Sequence, residues 1–270
     1  MSNASKSSLF RSLHTPDRPL ALANAWDVAS ARVIEAAGAT AIATTSAGVA
    51  WSLGAPDGDR VPRGPVLDAI ARIASAVTVP VTADIEGGYG QSPAEVAETV
   101  TRVLEAGVVG INIEDGTRSP GTLVDRLAAS RGAAQRAGVD LFVNARIDTY
   151  LLGLGDPATR LQDTLERARS YIDAGADGIF VPGVTDPGVI KDLAAGLTVP
   201  LNIMAGPGTV PVDELGALGV ARVSLGSSVA QAAYAVPRHA ALELHRVGGY
   251  DHLRQTIDYP ELNSLFTATG

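Results

Sequence analysis

Leu104-Glu105-Ala106-Gly107-Val108-Val109-Gly110-Ile111-Asn112-Ile113 carries the unit on which this chain is built: a helix-like Ala/Leu/Glu stretch, a glycine, about two residues, then an apolar strand. The unit recurs at Glu35-Ala36-Ala37-Gly38 before Ala41-Ile42-Ala43, at Ala137-Gly138 before Leu141-Phe142-Val143, at Ala174-Gly175 before Gly178-Ile179-Phe180-Val181, and at Leu218-Gly219 before Ala221-Arg222-Val223-Ser224-Leu225. Glycine suits the left-handed position that ends a helix. Two more strands open on the same phrase, Thr78-Val79-Pro80-Val81 and Thr198-Val199-Pro200-Leu201, with proline at a first position that costs no ladder bond. With Leu20-Ala21-Leu22-Ala23, strands begin near residues 20, 40, 79, 108, 140, 178, 199 and 220, with helices between them. Eight such cycles predict an α/β fold of the closed (β/α)8 TIM type; a doubly wound open sheet is the alternative. The expected division is an N-terminal extension over 1–18, disordered or helical, a barrel over 19–228, and a helical segment over 229–270 that packs on the barrel or a neighbouring subunit.

Composition narrows the chemistry. The 270 residues can bury a sizeable core, and the formal charge of -8 argues against nucleic acid or an anionic membrane as partner. There is no cysteine, which removes disulfides, thiolate metal sites and any thiol nucleophile or acid. Met1–Ser8 has no apolar run and no later stretch is long enough to span a bilayer, so a soluble, cytoplasmic protein acting on a small molecule is expected. Lys6 and Lys191, the only lysines, fall away from the strand tops, which disfavours a Schiff-base mechanism. His14, His239, His245 and His252 lie toward the termini and read as exposed helix residues.

Barrel active sites form at the C-terminal strand ends, and three consecutive ends are polar in the same rhythm. They read Asp84-Ile85-Glu86, Asn112-Ile113-Glu114 and Asn144-Ala145-Arg146-Ile147-Asp148. Side chains two apart on a strand share a face, so each set should line the barrel mouth. Asp84, Glu86 and Glu114 together would repel one another unless a cation compensates, and a hard divalent ion that keeps some of its waters, magnesium, fits oxygen ligands. The alternative is a purely structural network in which Asp84 and Glu114 pair with Arg146. Thr44-Thr45-Ser46-Ala47-Gly48 after the second strand could hold a substrate carboxylate, or be a simple Ser/Thr turn; Ala205-Gly206-Pro207-Gly208 and Gly226-Ser227-Ser228 are weaker anion candidates. Asn202 on the seventh strand is a further substrate-binding candidate, and Trp26-Asp27 reads as a core aromatic followed by an N-cap.

With Asp84-Ile85-Glu86-Gly87-Gly88-Tyr89-Gly90, Ile113-Glu114-Asp115 and Asn144-Ala145-Arg146-Ile147-Asp148 in place, the chain resembles the isocitrate lyase and phosphoenolpyruvate mutase superfamily; Asn24–Arg32 and Leu53-Gly54-Ala55-Pro56-Asp57 add to the likeness. The resemblance implies a barrel enzyme, usually a tetramer with exchanged C-terminal helices, that binds Mg2+, for which Mn2+ can substitute, and a 2-oxo acid or its enolate. It implies metal ligands at Asp84, Glu86 and Glu114, with Asp57 near the metal and Asp84 also close to substrate. Arg146 would meet the substrate carboxylate, Thr45, Ser46 and Ala47 would bind it, and Glu114, Asp57, Arg118 and Arg146 form the catalytic set. The chain also departs from the pattern. The Lys-Lys-Cys-Gly-His phrase of the lyases is missing, and the loop Asp115-Gly116-Thr117-Arg118-Ser119-Pro120-Gly121-Thr122 lacks the lysine and asparagine of phosphonate-processing members. Pro182 stands where those members carry histidine. The expected activity is Mg2+-dependent carbon–carbon cleavage or decarboxylation of a small 2-oxo or 2-hydroxy dicarboxylate. The alternatives are phosphorus–carbon chemistry on a phosphonopyruvate-like substrate and a catalytically silent 2-oxo acid binder.

Overall fold

The computed structural model describes residues 2–267; Met1 of the expected N-terminal extension and residues 268–270 of the C-terminal segment lie outside them. Nine strand segments run parallel: β1 (Leu20–Leu22), β2 (Asn24–Ala25), β3 (Ile42–Thr44), β4 (Val81–Asp84), β5 (Gly110–Glu114), β6 (Phe142–Arg146), β7 (Gly178–Val181), β8 (Leu201–Met204) and β9 (Val220–Ser224). The ninth arises because the first barrel strand breaks at Ala23: β1 pairs with β9 and β2 pairs with β3, so one interrupted strand joins both ends of the sheet and closes the (β/α)8 barrel. The open-sheet alternative is thereby excluded.

The helices are α1 (Asn3–Ser12), α2 (Val28–Ala36), α3 (Ser46–Ser52), α4 (Arg63–Ala76), α5 (Pro93–Glu105), α6 (Pro120–Ala137), α7 (Arg160–Asp173), α8 (Pro187–Gly196), α9 (Val212–Ala217), α10 (Ser228–Val247) and α11 (Tyr259–Thr267). Local chemistry sets their ends. Asp27 caps α2 and Ser92 caps α5, each in a reciprocal box with the third helical residue, Ser30 or Glu95. Such a cap contributes about 1 kcal/mol. The five repeat glycines after the helices all have positive φ, between 65° and 105°. Pro80 and Pro200 donate nothing but accept from Ile42 and Ile179 through their carbonyls at 2.9 and 3.0 Å, so the ladder continues across them. α5 buries Val96, Val100, Val103 and Leu104, the spacing of one helical face, against the sheet.

Two apolar layers result. The larger lies between sheet and helices, and a smaller one fills the inside of the barrel at its N-terminal end: Phe10, Leu20, Leu22, Ala41, Ala43, Val109 and Phe142. α1 closes that end, its Phe10 ring edge-on to Phe142 at 5.7 Å. This corrects the reading of His14 as an exposed helix residue. The residue is 8% exposed and its ring stacks on Phe142 at 4.1 Å between centroids, because it follows the end of α1 and folds back beside Phe10 onto the barrel base. Nδ1 donates to the Phe10 carbonyl at 2.8 Å. Burial, reinforced by the Arg222 charge, pushes the His14 pKa down to about 3 and keeps the ring neutral. At the other end of the chain α11 returns to α2, where the Arg32 guanidinium lies over the Phe266 ring and donates to the Leu265 carbonyl. No described helix is long and apolar enough to cross a membrane.

Candidate active site

A cavity of about 160 Å3 opens at the C-terminal ends of the strands. Its polar wall includes Thr45, Ser46, Asp57, Asp84, Asn112 and Arg146, and its apolar wall is made by Ala47, Leu151, Phe180 and Met204. Asp84 ends β4, and its position is set from several sides: its amide donates to Thr44 Oγ1 at 2.9 Å, Oδ1 accepts from the Glu86 amide at 3.2 Å, and Oδ2 lies 3.4 Å from the Ser46 amide. Ser46 and Ala47 open α3, so their amides have no acceptor within the helix.

Glu86 shares the mouth region but does not line the cavity. The alternation expected from a strand stops at Asp84, where β4 ends, and Glu86 follows in a turn with φ 49°. Its buried carboxylate accepts from Tyr89 Oη at 2.9 Å and from the Asp59 amide. Asp59 and Tyr89 also have positive φ, 57° and 49°, so all three described non-glycine residues in the left-handed region meet at this rim. Strain of this kind persists where surrounding structure enforces it, and it gathers at functional sites.

Arg146 ends β6 directly opposite Glu114 in the register. Nη1 is 2.8 Å from Glu114 Oε2 and Nε donates to Asp148 Oδ1 at 2.7 Å. Asp148 is held in turn: its amide donates to Asp115 Oδ1 at 3.0 Å, and Asp115 Oδ2 accepts from Arg167 at 2.7 Å and Tyr171 Oη at 2.8 Å. Arg118 stands outside the cavity, in a smaller neighbouring cleft where it pairs with Asp59. Asn202 lies beneath the floor, its amide directed into the barrel toward Ile203 O, Arg222 O and Ser224 Oγ.

The acids crowd one another. Burial pushes Glu86 up to about 7, with Asp84 adding repulsion against the opposing Asp59 amide. Glu114 is pushed up to about 8 by burial, against the pull of Arg146, with Asp84, Asp148 and Glu86 raising it further. Asp57, on the rim, is raised by desolvation at the cavity edge and then by Asp84. Arg146 is buried, yet Glu114, Asp148 and Asp84 keep it firmly protonated. Asp84 is thus a common repulsive neighbour of Asp57, Glu86, Glu114 and Asp148. Among the described residues no three His, Cys, Asp or Glu side chains are drawn together as a metal cage.

The profile of the phosphoenolpyruvate phosphomutase family matches residues 10–245. The chain belongs to this family. It falls within the isocitrate lyase and phosphoenolpyruvate mutase superfamily that the strand-end motifs resemble. An uncharacterized protein of Mycobacterium tuberculosis (strain H37Rv) is 41% identical over 94% of this chain and 95% of its own length. The 2-methylisocitrate lyase of Escherichia coli (strain K12) is 31% identical over 74% of this chain and 70% of its own. The crystal structure of 2,3-dimethylmalate lyase, a PEP mutase/isocitrate lyase superfamily member, superposes with a TM-score of 0.84 at 28% identity, covering 98% of this chain and 95% of that one. Members of the superfamily are lyases and mutases.

Of the residues expected at the site from the sequence, Thr45, Ser46, Ala47, Asp57, Asp84 and Arg146 line the cavity, whereas Glu114 does not and stands beside Arg146. Sequence reasoning did not single out the apolar wall of Leu151, Phe180 and Met204. It also overlooked Asp59 as the partner of Glu86 and Arg118, and nothing in the sequence pairs residues 59 and 86.

Proposed function

We propose that the chain is a magnesium-dependent lyase that cleaves a carbon–carbon bond in, or decarboxylates, a small 2-oxo or 2-hydroxy dicarboxylate through an enolate. The observation that carries this reading is Arg146 at the cavity wall beside Asp84, with its Nε and Nη1 edges occupied by acids and its remaining Nη2 edge left for a ligand. A fixed guanidinium edge and the opening amides of α3 suit one carboxylate.

Magnesium fits the donor set. All the donors near Asp84 are hard oxygens, the acids around it repel one another, and an ion that keeps several waters needs only one or two direct carboxylates. Asp84 and Asp57 would hold it, with Glu86 and Glu114 behind them; Mn2+ would substitute. When bound, the ion supplies Lewis-acid polarisation of the substrate's 2-oxygen. Arg146 orients the carboxylate and offsets the negative charge that grows as the bond breaks. Phe180, which lies beside Arg146 in the β6–β7 register, supplies the apolar part of the cavity wall together with Leu151 and Met204. With no cysteine in the chain, solvent at the mouth protonates the departing enolate.

Three relatives support this reaction type. Oxaloacetate decarboxylase of Bradyrhizobium sp. (strain BTAi1) is 30% identical over 80% of this chain and 75% of its own length, and 2-methylisocitrate lyase and 2,3-dimethylmalate lyase cleave the class of compound proposed here. Phosphorus–carbon chemistry is less well supported, because Arg118, the loop cation it would need, is paired with Asp59 outside the cavity. We further propose a homo-oligomer, a tetramer, supported by the exposed apolar residues Tyr234, Val236, Leu242, Leu244 and Val247 on α10. Incubation with 2-oxo and 2-hydroxy dicarboxylates in excess Mg2+, with products read by mass, tests the activity. Tight binding without turnover would instead fit a silent oxo-acid binder.

A further inference from the structure

Beneath the cavity floor four side chains form a relay whose hydrogen-bond directions are fixed at both ends. At one end the carbonyls of Ile203 and Arg222 can only accept, and Asn202 Nδ2 donates to them at 3.0 and 3.2 Å. Asn202 must therefore turn its oxygen inward, where Oδ1 accepts from Asn144 Nδ2 at 3.0 Å. The same Asn144 nitrogen donates to Asn112 Oδ1 at 3.0 Å. At the other end is the Arg222 guanidinium, five donors and no acceptor, which reaches the same Asn112 oxygen through Nη2 at 3.2 Å. Both ends demand one orientation. Asn112 turns its oxygen into the barrel and its Nδ2 toward the cavity that it lines beside Asp84 and Arg146. Among the described residues that nitrogen donates to no protein group and is not a closed-off atom.

Arg222 is an unusual residue to place there. It is 1% exposed, has no carboxylate in ion-pair contact among the described residues, and leaves Nε and Nη1 without partners. A buried cation so poorly compensated is costly, and an apolar side chain of similar volume is often as good or better for stability. What an apolar residue could not supply is a donor that holds the Asn112 oxygen and a positive charge under the cavity floor.

We propose that Asn112 contacts substrate, donating Nδ2–H to an anionic oxygen of the bound oxo acid at the cavity floor, and that Arg222 is the positioning residue that fixes this direction from inside the barrel. The inference rests on the oxo-acid reading of the site. It makes residue 112 a determinant of ligand charge: an aspartate there would still satisfy Arg222 but would turn only acceptors toward an anion.

Oxalate, a small dianion with adjacent carboxylate oxygens, serves as probe. Its Kd is measured by calorimetry in excess Mg2+, with a melting temperature for each protein, for wild type, Asn112→Asp, Asn112→Ala, Arg222→Met and the Asn112→Ala/Arg222→Met double variant. Wild type should bind. Asn112→Asp should melt at the same or a higher temperature, because its carboxylate gives Arg222 a counter-charge, and bind oxalate about ten- to a hundredfold more weakly. Arg222→Met should weaken binding several-fold on its own and leave affinity unchanged in the Asn112→Ala background, the non-additivity of a residue that acts through another. Wild-type affinity in Asn112→Asp, or an equal loss from Arg222→Met in both backgrounds, would overturn the inference while leaving the oxo-acid reading intact. Failure of wild type to bind oxalate would overturn that reading itself, and is seen before any substitution is made.

Discussion

Arg146 Nη1 stands 2.8 Å from a Glu114 oxygen, and the two residues face each other directly across the β5–β6 register. That oxygen is buried and accepts no aligned hydrogen bond, and the directed bond of Arg146 goes from Nε to Asp148. Arg146 therefore has two anchors and one free edge.

Arg146→Lys keeps the charge between Glu114 and Asp148 but loses the planar fork. If the free edge grips substrate, the barrier rises by about 2.7 to 4 kcal/mol, and turnover falls roughly a hundred- to thousandfold. The melting temperature should change little. Near-normal turnover in this variant would show that Arg146 serves only the ion network.

Stability should fall on both sides of a single maximum when the metal is chelated. Glu86 and Glu114 keep their protons to about pH 7 and 8 in the folded protein, against 4.5 unperturbed, so the folded state binds more protons than the unfolded and loses stability as pH rises through this window. His14 works in the opposite limb: neutral in the fold down to about pH 3 but protonated below 6.5 when unfolded, it costs stability as pH falls between these values. Glu114→Gln should flatten the alkaline limb of a melting-temperature profile, and His14→Phe the acid limb. Profiles parallel to wild type would contradict these assignments.

Asp115 supports the site from behind, with an Asp148 amide, Arg167 and Tyr171 all donating to its fully buried carboxylate. Asp115→Asn replaces an acceptor oxygen by a donor facing donors. A loss of about 1 to 3 kcal/mol in urea unfolding is expected, together with reduced turnover as Asp148 and Arg146 lose their register. An unchanged unfolding midpoint would argue against this support.

Light scattering at micromolar concentration should report an oligomer, and charged substitutions at Leu244 and Val247 should shift it toward smaller species. These two side chains are 57% and 77% exposed, an unfavourable arrangement for a free surface unless a second copy covers it. A monomer under all conditions would contradict the assembly.

The barrel was legible because its repeat is written locally. Each glycine after a helix and each proline before a strand acts through its own backbone, so Gly107 or Pro80 can be read without knowing its neighbours in space. Asp84 and Arg146 were legible for a related reason, since both close a strand and strand alternation aims them. That rule ended with the strand. Glu86 lies two residues past Asp84 but in a left-handed turn, and its partners Asp59 and Tyr89 are set by tertiary packing. His14 was misread because it lies just past the end of α1 and the surface it covers, the Phe142 ring at the barrel base, is distant in sequence. Asn112 showed its face in the alternation, but the direction of its amide is set by Asn144 and by Arg222, the latter 110 residues away.

Metal-dependent carbon–carbon cleavage of a small oxo or hydroxy dicarboxylate is open to test by one turnover panel. Oxaloacetate, 2-methylisocitrate, 2,3-dimethylmalate and phosphonopyruvate are each incubated with the protein in chelator, and again after Mg2+ is restored, with products read by mass. At least one of the three carbon substrates should yield an oxo-acid product only when Mg2+ is present. Full turnover in excess chelator, or release of phosphate from phosphonopyruvate with no reaction of the other three, would contradict this activity.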